Sequence, residues 1–149
     1  MSIVPVPDLI RSFRDALGLA LELSDEFAFA HAALVLSPDR RCVDFEVFTS
    51  IVENLSEILG WLSCRFESHA DSAFVLLISI RSVDGWSIYE RDLSDFRFAR
   101  ATISGFGGHL VDWIETDGEL VRSYAYLVNP NTAWSVEAAA EGAFDHLEF

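Results

Sequence analysis

The chain has 149 residues, 51% of them hydrophobic, which is enough apolar material for one continuous core and excludes disorder along its whole length. Twenty-four Asp and Glu against ten Lys and Arg leave a formal net charge of -14. The mean field therefore repels phosphate backbones and anionic membrane surfaces, so neither direct nucleic-acid binding nor membrane association is expected.

In chain order, Asp8 follows Pro5 and Pro7 and is placed to cap a helix whose apolar stripe is Ile10, Phe13, Leu17 and Leu21. Phe27 to Leu36 and Cys42 to Phe48 flank a Ser37-Pro38-Asp39-Arg40 turn and predict a hairpin; the second arm alternates polar and apolar residues, as a strand buried on one face does. Ser50-Ile51-Val52-Glu53 is a capping-box pattern opening a helix with the stripe Ile51, Leu55, Ile58, Leu59, Leu62 and Phe66. Phe74 to Ile80 is apolar without alternation and predicts a central strand covered on both faces. A loop containing Asp84-Gly85-Trp86 leads to a helix from about Leu93 to Phe106, with Leu93, Phe96, Ala99 and Ile103 inward and Gly105, Gly107 and Gly108 at its end. Two further strands, His109 to Thr116 and Glu119 to Val128, are expected to meet at a two-residue Asp117-Gly118 turn.

From Asn129 onward the pattern weakens. Residues 129–149 read either as frayed chain or as a short helix within Ser135 to Leu147, where Glu137, Glu141, Asp145 and Glu148 lack an evident basic partner. The whole predicts a single α/β domain: a sandwich with a mixed sheet of about five strands covered by helices, its core within about residues 8–128.

Cys42 and Cys64 are the only thiols, and without a CxxC they read as small buried hydrophobes, giving no structural zinc. Asp8, Arg11, Arg14 and Asp15 interrupt any secretory h-region, and the apolar run from Phe27 to Pro38 is short of the ~20 residues that span a bilayer, so a cytoplasmic protein is expected. His69 and Asp71 supply too few ligands for a metal; His31 reads as a hydrogen-bonded core or edge residue, and His109 as the start of a strand. Neither a nucleophile elbow nor a phosphate-binding glycine loop is present, and no cofactor is expected.

The order of elements from Phe27 to Val128 resembles the JAB/MPN metalloprotease fold of the RadC kind. With Asp92 at the place of that family's ligand aspartate, Leu110, Asp112 and Trp113 fall where RadC-like sequences carry Leu-x-Asp-His, Ser79 and Arg81 occupy the two histidine positions, and Tyr89 the serine position. Glu46 is the candidate for the general-base glutamate. The turn that follows the histidines in RadC is replaced here by Ser82-Val83-Asp84. Zinc hydrolysis needs three protein ligands and one open position, and Arg81 would set a fixed cation where the metal belongs. The resemblance thus implies a degenerate domain without peptidase activity, acting as an interaction or scaffold module, with Arg81 and Asp92 expected to pair across the former metal site.

Two other readings stand beside it. One is a hydrolase with a metal relocated to Asp92, Glu46 and a histidine such as His31 or His109; the other is an acidic mimic of nucleic acid that blocks a basic protein. The segment Asp112, Trp113, Glu115, Asp117 and Glu119 reads in two ways: as a binding edge for a basic partner, or as a strand with Trp113 in the core and its acids on the solvent face, the reading that alternation favours. The chain's 13% aromatic content is compatible with a homodimer.

Overall fold

A computed structural model describes residues 8–49, 55–81 and 93–143. Its elements, in order, are α1 (Phe13–Glu26), β1 (Phe29–Leu36), β2 (Cys42–Phe48), α2 (Leu55–Ser68), β3 (Phe74–Arg81), α3 (Leu93–Gly105), β4 (His109–Thr116), β5 (Val121–Ser123), α4 (Tyr124–Val128) and α5 (Ala133–Ala140). The strands form one mixed sheet in the order β2-β1-β3-β4-β5, in which only β3 and β4 run parallel. This is the α/β architecture that the sequence predicts, with helices on both faces.

The apolar run of β3 is buried throughout its interior because it has β1 on one side, β4 on the other, and a helical layer above and below. On one face Leu34, Leu36, Leu76, Ile78, Ile80 and Ile114 pack with Phe13, Leu19 and Leu23 of α1 and with Ala138 of α5. On the other, Ala33, Val35, Val75, Leu77 and Trp113 pack with Ile58, Leu59 and Leu62 of α2, and with Phe96, Ala99 and Ile103 of α3. Each fully buried Leu or Ile contributes about 1.5–3 kcal/mol, so the two cores carry most of the stability. At the end of α3, Gly107 takes a left-handed φ of 95° and the amide of Gly108 returns to the carbonyl of Ile103 at 2.9 Å.

Several expectations are corrected. The cap of α1 is Ser12, whose hydroxyl accepts from the Asp15 amide; Asp8 instead gives its carbonyl to the Cys42 amide, and Leu9 bridges Arg41, so residues 8–10 run beside the β1–β2 turn. Leu21 is exposed, the buried face of α1 running instead through Leu19, Ala20 and Leu23. The expected strand from Glu119 to Val128 is a three-residue strand followed by a helical turn, because the Ser123 hydroxyl caps α4 by accepting from the Tyr126 amide. Glu137 and Glu141 do have a basic partner: the Arg14 amide donates to Glu137 at 2.6 Å and its guanidinium to Glu141 at 2.8 Å, joining α5 to α1. Cys64 is exposed and only Cys42 is part-buried, with its thiol pushed up to about 11 by burial. The capping box at Ser50 and Glu53 lies outside the described residues.

Candidate functional site

A polar row crosses one face of the sheet near the carboxyl ends of the parallel strands. The registers His31↔Ser79, Ser79↔Glu115 and Glu115↔Arg122 set four polar side chains side by side on β1, β3, β4 and β5, on the face that also carries Leu77 and Trp113. Ser79 lies between two rings: its hydroxyl oxygen is 2.7 Å from His31 Nδ1, and it accepts from the Trp113 indole N–H at 2.8 Å. Beside it, Arg122 Nη1 donates to Glu115 Oε1 at 3.2 Å and to the Tyr124 hydroxyl at 2.7 Å, and that hydroxyl donates to Glu115 Oε1 at 2.9 Å. Glu115, Arg122 and Tyr124 are all at most 1% exposed. Burial above all, and then the Glu115 charge, drives the Tyr124 phenol far above its ordinary range, so it remains a neutral donor and acceptor.

A second polar centre faces the other way on the same strand. Asp112 is fully buried; its Oδ1 accepts from the amides of Trp113 and Ala125, and its Oδ2 from the Ser123 hydroxyl and the Trp134 indole. One carboxylate thus fastens β4 to the β5–α4 junction and to α5. Desolvation outweighs these four bonds and raises its pKa to about 6.

A serine 2.7 Å from a histidine has the spacing of a nucleophile and its base. The chemistry does not follow here, because Ser79 is 4% exposed, lies within the sheet, and already has the Trp113 N–H on its oxygen. The row is enclosed within the sheet from Ser79 to Arg122, with His31 as its part-exposed end.

The positions singled out by the family resemblance separate in space. Ser79 and Arg81 do share a face, and Arg81 lies over the Phe29 ring at 5.5 Å. Glu46 is exposed on the edge strand β2 and pairs with Ala33, which pairs with Leu77, so it sits two strands from β3, about 10 Å across the sheet, and one pleat out of the Ser79 row. Tyr89 and Asp92 lie outside the described residues, and with them the expected Arg81–Asp92 pair. His31 and His109 stand opposite Ser79 and Phe74, five residues or ~17 Å apart along β3, too far for one metal. Among the described residues, no three His, Cys, Asp or Glu side chains gather as a metal site requires.

Of the two readings of Asp112 to Glu119, the favoured one is right that Trp113 is in the core and is corrected for the acids beside it. Asp112, Trp113 and Glu115 are inside, because β4 is covered on both faces and alternation therefore does not bring its acids to solvent. Asp117 and Glu119 remain at the hairpin tip, where Asp117 accepts from the amides of Glu119 and Leu120. His69 closes α2 and lies 3.3 Å from Asp44, which Arg65 also meets at 3.4 Å.

Sequence reasoning missed Arg122, Ser123, Tyr124 and Trp134. The signal for Arg122 was present but masked by the assumed two-residue turn: Thr116 pairs with Val121 around a four-residue loop, and only that register sets Arg122 against Glu115. The chain matches no protein-family model and no curated protein. Among the described residues no helix is long and apolar enough to cross a membrane.

Proposed function

We propose that the chain is a catalytically inactive, JAB-like domain of the RadC kind that acts in the cytoplasm as a protein-interaction module. The observation that carries this reading is the clamp on Ser79. Where the family resemblance puts a metal-binding imidazole, this chain has a buried hydroxyl held between His31 and Trp113, and the adjoining strands carry the Glu115–Arg122 pair with Tyr124 across it. A divalent ion there would have to break this network and sit near the positive charge of a buried guanidinium. The surface we assign to a partner is the β4–β5 hairpin tip, where exposed Leu120 stands beside Asp117 and Glu119: an apolar anchor with acids that select a basic partner. The reading as a nucleic-acid mimic loses Asp112 and Glu115 from its charged surface to the interior.

Two measurements test the proposal. A calorimetric titration with zinc at neutral pH is expected to show no saturable one-to-one event, and such an event would overturn the inactive reading. Crosslinked partners recovered with the native chain are expected to be lost with a Glu119→Lys/Leu120→Ser variant; equal recovery would remove the hairpin from the interface.

A further inference from the structure

A cleft of about 340 Å³ opens at the far end of the sheet from Ser79, between α3, the α4–α5 segment and the β1–β2 turn. In a chain of net charge -14, its lining contains no Asp or Glu but does contain Arg40, Arg100 and His109. Neither arginine has a carboxylate partner among the described residues. Each lies instead against an aromatic ring, Arg40 4.1 Å over Phe74 and Arg100 5.4 Å over Phe96. A cation over an aromatic ring uses no N–H hydrogen bond, so these contacts do not occupy the guanidinium donors. Arg40 Nη1 is buried without a hydrogen-bond partner, although Asp39 is next in sequence; that carboxylate is turned to the Ser37 hydroxyl and to Arg41.

Arg40 also has a left-handed backbone, with φ of 68°, in a turn that glycine or asparagine would adopt more easily. A strained arginine with a desolvated, unanswered N–H is costly to the free protein; Nη1 itself is closed to solvent, so an anion in the cleft would meet the other Arg40 atoms that line it. The remaining walls are mostly apolar, including Leu110, Val111 and Val128, with Asn129 and Thr132 adding polar groups and Trp134 held by its N–H to Asp112. Asp112 is itself buried behind that ring with both oxygens occupied.

We propose that this cleft is a binding site for a small organic anion, a carboxylate or phosphate ester on an apolar or aromatic body, with Arg40 and Arg100 receiving the anionic group and Trp134 and Val128 the body. Its volume is at the lower end of the ~300–1,000 Å³ typical of ligand pockets. The site goes beyond the interaction-module reading and does not depend on it, since no residue of the Ser79 row lines it.

The experiment is a titration of the full chain with phenyl phosphate, benzoate, inorganic phosphate and benzyl alcohol, followed by amide and indole chemical shifts. Saturable binding of phenyl phosphate or benzoate is expected, with shifts centred on Arg40, Val111 and the Trp134 indole; the stronger of the two identifies the anionic group. Inorganic phosphate and benzyl alcohol, each lacking one half of the ligand, are expected to bind about tenfold or more weakly. Arg40→Gly removes the guanidinium while relieving the backbone, so it is expected to fold at least as stably and to lose about tenfold or more in affinity. Arg100→Gln provides a second variant with the same expectation. Absence of saturable binding by either aromatic anion up to about 10 mM, or unchanged affinity in both variants, would overturn the site.

Discussion

Replacing Arg122 with Met leaves the Glu115 carboxylate 1% exposed, with its Arg122 bond gone and the Tyr124 hydroxyl still on it. Breaking a buried ion pair from one side typically costs about 3–5 kcal/mol, because the surviving charge keeps its desolvation penalty without its partner. Glu115→Leu should cost a similar amount, because the buried guanidinium loses its carboxylate. Tyr124→Phe should cost about 1–2 kcal/mol as a lost buried hydrogen bond. Added together, these losses reach the ~5–15 kcal/mol of a whole domain, so independent contributions would leave the triple variant largely unfolded. The network reading predicts otherwise: Glu115→Leu/Arg122→Met/Tyr124→Phe removes donors, acceptors and charges together, and should lie within about 2 kcal/mol of the native chain. Urea unfolding of the singles and the triple, at neutral pH and with the m-value checked for constancy, measures this directly. Additive losses would refute the view that these three side chains act as one coupled unit.

Other consequences can be measured in the same way. The folded-state pKa of Asp112 is raised from 3.8 to about 6, so its contribution to stability is full below pH 4 and is lost as pH rises through 6, by about 3 kcal/mol at 1.36 kcal/mol per unit; the difference in stability between native chain and Asp112→Asn should change over that window, and a constant difference would contradict the burial argument. Asp112→Ala, which strands the Ser123 hydroxyl, the Trp134 indole and the Ala125 amide, should cost about 3–5 kcal/mol by chemical denaturation. Ser79→Ala should cost about 1–3 kcal/mol and shift the Trp113 indole resonance, which loses its acceptor. Gly108→Ala would set a methyl 2.8 Å from Ile103 Cγ2 and Phe66 Cζ, and should lower stability by about 1–3 kcal/mol through overpacking between α2 and α3.

The α/β architecture was legible because its signals were local and strong. The unbroken apolar run at Phe74–Ile80, the stripe from Leu55 to Phe66 and the glycines after Ile103 each correspond to one element. The polar row was not legible, because it is a property of register. His31 meets Ser79 only once β1 pairs with β3, and Glu115 meets Arg122 only around a loop longer than the Asp117-Gly118 signal suggests. Asp112 escaped for a related reason: alternation assigns acids to solvent, whereas the chain beyond Ser123 turns back and covers them. Likewise, Glu137 and Glu141 looked unpartnered in a one-dimensional reading because Arg14 lies more than a hundred residues away.

The central proposal, that Ser79, at one histidine position of the resembled family, is held in an internal network where a metal would otherwise be bound, is tested most directly by elemental analysis of untagged protein purified without added metal or chelator. The account predicts folded protein carrying only substoichiometric traces of zinc or any other transition metal. Close to one equivalent of a single metal would contradict it.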